Sequence, residues 1–341
     1  MIDSDILVQA TDAGDRRRAG RRDFLRSASV ATLAIGGSAL LTACSGGTSA
    51  GTATPTPTDS TTPTPSPSST DTLRDQDTFN FLLNLAYLEA QFYSFAVTGA
   101  GLPSVLIAKG DGNQTVQGAV TGGRQVTFTD PLVAQYAREI AADKVAHVAF
   151  LRSALGAATV AQPAINIDGS ASGAFSALAQ AAAVVAGGAA FDPYASDENF
   201  LLAAFLLEDV VVTAYKGAQS TIATALLIDA AAGILATKSY HAGLIRTVLY
   251  AKGSVSTPSL LTNADLISNA RDGFDGASDL DQGIVGDSVT SNIAPLDSNG
   301  LAFGRTAGQV LNVFYLNRNA VVGGGFFPGG LNGNIRTSAA N

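Results

Sequence analysis

Tryptophan is absent, methionine occurs only at position 1, and the 341 residues hold one cysteine, Cys44, and two histidines, His147 and His241. A single cysteine excludes an intramolecular disulfide framework and leaves no Cys-His set for a zinc site. With two histidines, a nucleophilic triad is excluded unless it uses one of them, and no phosphate-binding glycine loop appears. Charged residues are only 14% of the chain, with a net charge of −8. Residues 1–43 carry six arginines and five aspartates, so the remainder is at −9. An acidic body has no electrostatic footprint for nucleic acid, which is therefore not an expected partner. What is present is apolar bulk: 46% hydrophobic residues, ample for a large core in one or two domains.

The N-terminus reads as an address. Arg21-Arg22-Asp23-Phe24-Leu25-Arg26 precedes an apolar run from Ala28 to Leu41, which is too short to span a membrane. A charged region, a short apolar region and small residues before a cut make a signal peptide. The arginine pair resembles a twin-arginine export signal. Leu41-Thr42-Ala43-Cys44 resembles a bacterial lipobox, which implies cleavage and lipid modification of Cys44. The expected location is the bacterial cell envelope, in the periplasm or on the outer surface, with the membrane as partner through the lipidated cysteine. Residues 45–71 are rich in Thr, Pro and Ser and have almost no apolar side chain. They cannot bury enough surface to offset ordering entropy and read as an extended stalk.

Four long helices follow. The periodicity predicts the first from about Asp77 to Thr98, with Asp77 or Thr78 as cap and Leu82, Leu85, Ala86, Glu89, Phe92 and Tyr93 on one stripe. The second opens at Asp130-Pro131 and runs to about Leu155. The third opens near Ser196, with Asp197 and Glu198 suiting the positive end of the helix dipole, and carries Glu208 and Tyr215. The fourth runs from about Thr221 to Lys252. The second and fourth share a twelve-residue pattern, Lys144-x-x-His147-x-x-x-Leu151-Arg152-Ser-x-Leu155 and Lys238-x-x-His241-x-x-x-Ile245-Arg246-Thr-x-Leu249. Each lysine and histidine, three apart, share a helix face. The chain has four glutamates, and two of them, Glu89 and Glu208, sit at the centres of the first and third helices.

The segment 99–129 reads as a hairpin, and the long connection between the second and third helices as a crossover with a short helix near Ala174–Val185. Such a pattern predicts an all-α bundle with one long crossover. After about Gly253 the pattern weakens into short helices at Asn263–Arg271 and Arg305–Tyr315. Asp272, Asp275, Asp279, Asp281 and Asp287 do not fit an EF-hand and read as a solvated acidic loop. Phe326 and Phe327 read as packing back on the bundle. The expected organisation is a signal peptide at 1–43, a linker at 44–71, a four-helix bundle at 72–255 and an extension at 256–341.

These residues resemble the ferritin-like superfamily of di-iron carboxylate bundles, in which two helices each give a glutamate and two others each give Glu-x-x-His. More closely, Tyr87-Leu-Glu89-Ala-Gln-Phe-Tyr93, Ala146-His147-Val-Ala-Phe-Leu-Arg152, Phe205-Leu-Leu-Glu208-Asp-Val-Val-Val-Thr-Ala-Tyr215, Tyr240-His241-Ala-Gly-Leu-Ile-Arg246 and the tail from Gly323 to Gly333 look like the bacterial ferritin-like family related to plant desiccation-related proteins. The resemblance implies a metal site at Glu89, His147, Glu208 and His241. It also implies glutamates at positions 144 and 238, where this chain has lysines. A protonated lysine has no lone pair for a metal. Two carboxylates and two ammoniums sum to zero, as do four carboxylates and two divalent ions.

The expectation is that Lys144 and Lys238 take the place of the metals beside Glu89 and Glu208. The site is then degenerate, there is no catalytic residue and no cofactor, and the resemblance implies a role in stress or desiccation. Two readings stand beside this one. Two glutamates and two histidines could hold a single divalent ion, giving a metal-binding protein or an oxidoreductase with an altered mono- or di-metal centre. Alternatively, a pocket between the helices makes the protein a small-molecule or lipid carrier. Tyr93 and Tyr215 read as hydrogen-bonding core residues.

Overall fold

The computed structural model describes residues 68–113 and 117–341. Arg21, Arg22, Cys44 and nearly all of the predicted stalk lie outside the described residues. The fold set out below is that of the compact unit Thr64–Asn341. Among the described residues are eight α-helices and one two-stranded parallel sheet, and no helix is long and apolar enough to cross a membrane.

Helix α1 spans Ser69–Thr98, and the Ser68 side chain caps it by accepting from the Asp71 N–H. It starts eight residues before the predicted Asp77, inside the stretch expected to be linker. Periodicity hides this first part because Leu73 is the one apolar side chain from Ser69 to Arg74, too few to make a stripe. The helix stops at Gly99, whose φ of +76° is the left-handed conformation of a helix end. Short helix α2 (Ser104–Ile107) and strand β1 (Val120–Gly122) follow.

Helix α3, Pro131–Leu155, opens as expected, with Asp130 accepting from the Leu132 and Val133 N–H groups and proline in the first turn. Strand β2 (Ile165–Ile167) and α4 (Ala174–Ala181) make up the crossover, α4 ending four residues short of the expected Val185. Helix α5, Asp197–Ala218, is capped by Ser196. Helix α6, Ala225–Val255, begins after a 3-10 turn at Gln219–Thr221 and runs three residues past Lys252.

Among the described residues of 99–129 the expected hairpin does not form. Instead β1 pairs parallel with β2, Val120 opposite Ile165 and Gly122 opposite Ile167. Glycine permits the approach: a Cβ on Gly118 would stand 2.0 Å from the Ala164 nitrogen. Gly122 and Gly123, at φ +81° and +91°, then turn the chain away.

The four long helices pair as α1 with α3 and α5 with α6. Helices α1 and α5 are buried around most of their circumference, whereas α3 and α6 bury one stripe and expose the other face. A helix apolar on all sides belongs to the centre of a fold, and here the crossover and the C-terminal extension cover what α3 and α6 leave open. Phe92 of α1 stacks on Phe200 of α5 with centroids 5.6 Å apart. Phe175 of the crossover helix α4 meets Phe326 of the tail edge-on at 5.0 Å, and the Asn84 side chain of α1 exchanges hydrogen bonds with the Asn332 backbone, so the tail packs on the crossover and on α1.

The extension contains α7 (Ser259–Asp275), longer at both ends than the predicted Asn263–Arg271, and α8 (Ala307–Tyr315), which Thr306 and Gln309 open with a reciprocal capping box. The expectation that Asp275 and Asp281 are solvated is corrected. Both are buried, Asp275 on Arg305 and Asp281 on Arg271 and Arg305. The buried guanidiniums of Arg271 and Arg305 need carboxylate partners, and Asp281 of the loop and Asp275 at the end of α7 supply them.

Candidate functional site

Glu89 and Glu208 sit midway along α1 and α5, where no water reaches them, while Lys144 of α3 and Lys238 of α6 point inward from the flanking helices. All four side chains are fully buried. Lys144 Nζ lies 2.6 Å from Glu89 Oε1 and 2.6 Å from Glu208 Oε2. Lys238 Nζ donates to Glu89 Oε2, and Tyr93 donates its hydroxyl to Glu208 Oε1 at 2.7 Å. Each of the four carboxylate oxygens therefore already accepts a hydrogen bond. The ammonium of Lys144 also stands 5.7 Å from the Tyr93 ring centre, and that of Lys238 5.2 Å from the Tyr215 ring centre, both within cation–π reach. The Tyr215 hydroxyl itself is buried without a partner, so of the two tyrosines only Tyr93 hydrogen-bonds.

The two lysines are not equivalent. Burial works against the charge of Lys144, but Glu208 and Glu89 on either side outweigh it and hold its pKa above the ordinary lysine value. For Lys238 burial wins. Glu89 restores only part of the loss, Lys144 adds repulsion, and the pKa falls to about 8. Burial would raise Glu208, yet Lys144, His241 and Lys238 keep it below the usual carboxylate value. Tyr93 is pushed well up by burial and by the Glu208 carboxylate it faces.

The histidines lie one helical turn along from the lysines. Their ring centres are 6.4 Å apart. His241 Nε2 is 3.2 Å from Asp143 Oδ2, on the neighbouring helix α3. His147 is held neutral: burial, then the charges of Lys238, Lys144 and His241, depress its pKa to about 2. Neither Nδ1 has a partner. Among the described residues, no three or more His, Cys, Asp or Glu side chains stand where one metal ion could be shared. The residues present do not fit a metal pair: the carboxylate oxygens are engaged, one ammonium bridges Glu89 and Glu208, and a second is bound to Glu89.

The repeat's arginines do different work. Arg152 donates to the Tyr87 hydroxyl and the Ala108 carbonyl, each at 2.6 Å. Arg246 donates to Asp209 and to the carbonyls of Gln282, Gly283 and Asn292. Both tie loops onto the helix pairs. Sequence reasoning missed the cluster of Asp209, Arg271, Arg305, Asp275 and Asp281 around Arg246, and it missed Asp143. Asp209 directly follows Glu208 and Asp143 directly precedes Lys144, which was the signal available.

Residues 74–251 match the family model described as a ferritin-like domain, and the chain belongs to that family. Two relatives are similar over most of their length. One is the ferritin-like catalase Nec2 of Nesocodon mauritianus, 28% identical over 76% of this chain and 84% of the relative. The other is the desiccation-related protein PCC13-62 of Craterostigma plantagineum, 28% identical over 70% of this chain and 76% of the relative. No solved structure matches.

Proposed function

We propose that this protein is a non-catalytic ferritin-like module in which a buried Lys/Glu cluster stands in for the di-metal centre. The observation that carries the reading is Lys144 Nζ, seated 2.6 Å from both Glu89 and Glu208. An ammonium there supplies the single positive charge that a divalent ion and the missing glutamate would supply together, without a Lewis-acidic or redox-active centre. Likeness to a desiccation-related protein supports a role in stress tolerance. The Arg21-Arg22 signal and the Leu-Thr-Ala-Cys44 motif support an exported, lipid-anchored location in the cell envelope.

Metal analysis of the purified chain, with assays for iron oxidation and for oxygen release from hydrogen peroxide, tests the reading. The expected result is substoichiometric metal and neither activity. About two iron or manganese ions per chain, the number a di-metal bundle holds, would overturn it. The double substitution Lys144→Glu with Lys238→Glu restores the family's carboxylates and is expected to gain metal affinity. A second reading, peroxide breakdown, is favoured by likeness to a ferritin-like catalase. Oxygen release by the unaltered protein, lost on Lys144→Met, would establish it in place of the first.

A further inference from the structure

Between the end of α7 at Asp275 and the start of α8 at Ala307, residues 276–306 form no helix and no strand beyond the isolated bridges Val285–Ser291 and Leu296–Ala302. An ordered connection this long is uncommon in a compact domain and is usually functional. Arg246 holds it through three backbone carbonyls, and Arg305, itself in the connection, ties it to Thr213 of α5 and Asp275 of α7. Held so, it roofs a cavity of about 190 Å³ against α5 and α6. The walls are Val212 and Ala242 from the helices and Leu280, Ile293, Pro295 and Phe303 from the roof.

The charged residues bordering the cavity are mutually satisfied. Arg246 lies 2.7 Å from Asp209, and Arg305 lies 3.0 Å from Asp281. No unpaired charge remains there for an ionic ligand, and burying one would be costly. Among the bordering residues, the one buried side-chain polar atom without a partner is Arg246 Nε, a single N–H donor. On size, an apolar cavity of roughly 150 Å³ admits benzene.

We propose that this cavity is a binding site for a compact, uncharged, mainly apolar molecule of one or two rings that bears a single hydrogen-bond acceptor. The site is separate from the Lys/Glu cluster and stands or falls independently of the reading given for it. It also lies elsewhere than the pocket expected from the sequence, since its roof is the extension and not a bundle helix.

Ligand-observed ¹⁹F NMR with 4-fluoroacetophenone and the full chain tests the proposal. The expected result is saturable binding at one site per chain. Ala242→Phe puts a ring into the cavity and is expected to weaken binding at least tenfold. Ala294→Phe, on the exposed rim, does the same by narrowing the mouth and carries the test if the first variant fails to fold. Absence of saturable binding to the unaltered chain, or equal binding by a folded variant of either kind, overturns the proposal.

Discussion

The molecule buries two ionic clusters that have α5 and α6 in common, and they are built differently. In the bundle, Lys144 and Lys238 face Glu89 and Glu208. Under the extension, Arg246, Arg271 and Arg305 face Asp209, Asp275 and Asp281. Both sum to zero charge. The lysine cluster makes only side-chain contacts at its ammoniums, which act as compact point charges between carboxylates. The arginines spread several donors over a plane and reach backbone carbonyls as well, including those of Phe205 and Leu206. A point charge replaces an ion, whereas a planar fork fastens a loop.

Removing one charge should hurt the lysine cluster most. Lys144→Met leaves Glu89 with one partner and strips Glu208 of the ammonium it is paired with. It is expected to cost about 3–5 kcal/mol in denaturant unfolding, and a loss under about 1 kcal/mol would show the pair to be dispensable. Keeping the charge but losing the fork separates the clusters next. Arg305→Lys cannot serve Asp275, Asp281 and Thr213 together, and a loss of about 1–3 kcal/mol is expected from the polar groups left unpaired.

The smallest effect, taken over the single pH unit to be measured, is one of pH. The folded pKa of His147 is depressed to about 2, against an unfolded value of about 6.5. Between these values the unfolded chain binds a proton that the native state refuses. The contribution is therefore complete above about pH 6.5 and is lost as pH falls toward 2, with a limiting slope of about 1.4 kcal/mol per pH unit. His147→Gln should remove that slope between pH 5 and 6, measured by urea unfolding across the range.

Much of this fold is legible in the sequence because its signals are local. Asp130-Pro131 and Ser196 announce helix starts through capping chemistry, and the stripes of α3 and α6 report one buried face each. The central residues were legible because Glu89, Lys144, Glu208 and Lys238 are rare charges in apolar helices. The start of α1 was not, since its first turns carry too few apolar side chains to make a stripe. Strand pairing was missed because β1 and β2 are three residues each and find one another across 45 positions. The burial of Asp275 and Asp281 depends on two arginines, Arg271 of α7 and Arg305 just before α8, and composition makes such a loop look solvated. Nor does the sequence reveal which lysine faces two carboxylates and which faces one, a matter of how the helices are set against each other.

The parallel pairing of β1 with β2 bears on the order of assembly. Parallel strands cannot be joined by a tight turn, so the chain must travel out and back between them, and here it does so along α3. The ring thus closed contains both Lys144 and His147. Its closure is a non-local event whose entropic cost must be met before the pairing contributes anything. The pairing therefore ties together the two ends of the segment that carries the Lys144 helix, outside the ionic cluster itself.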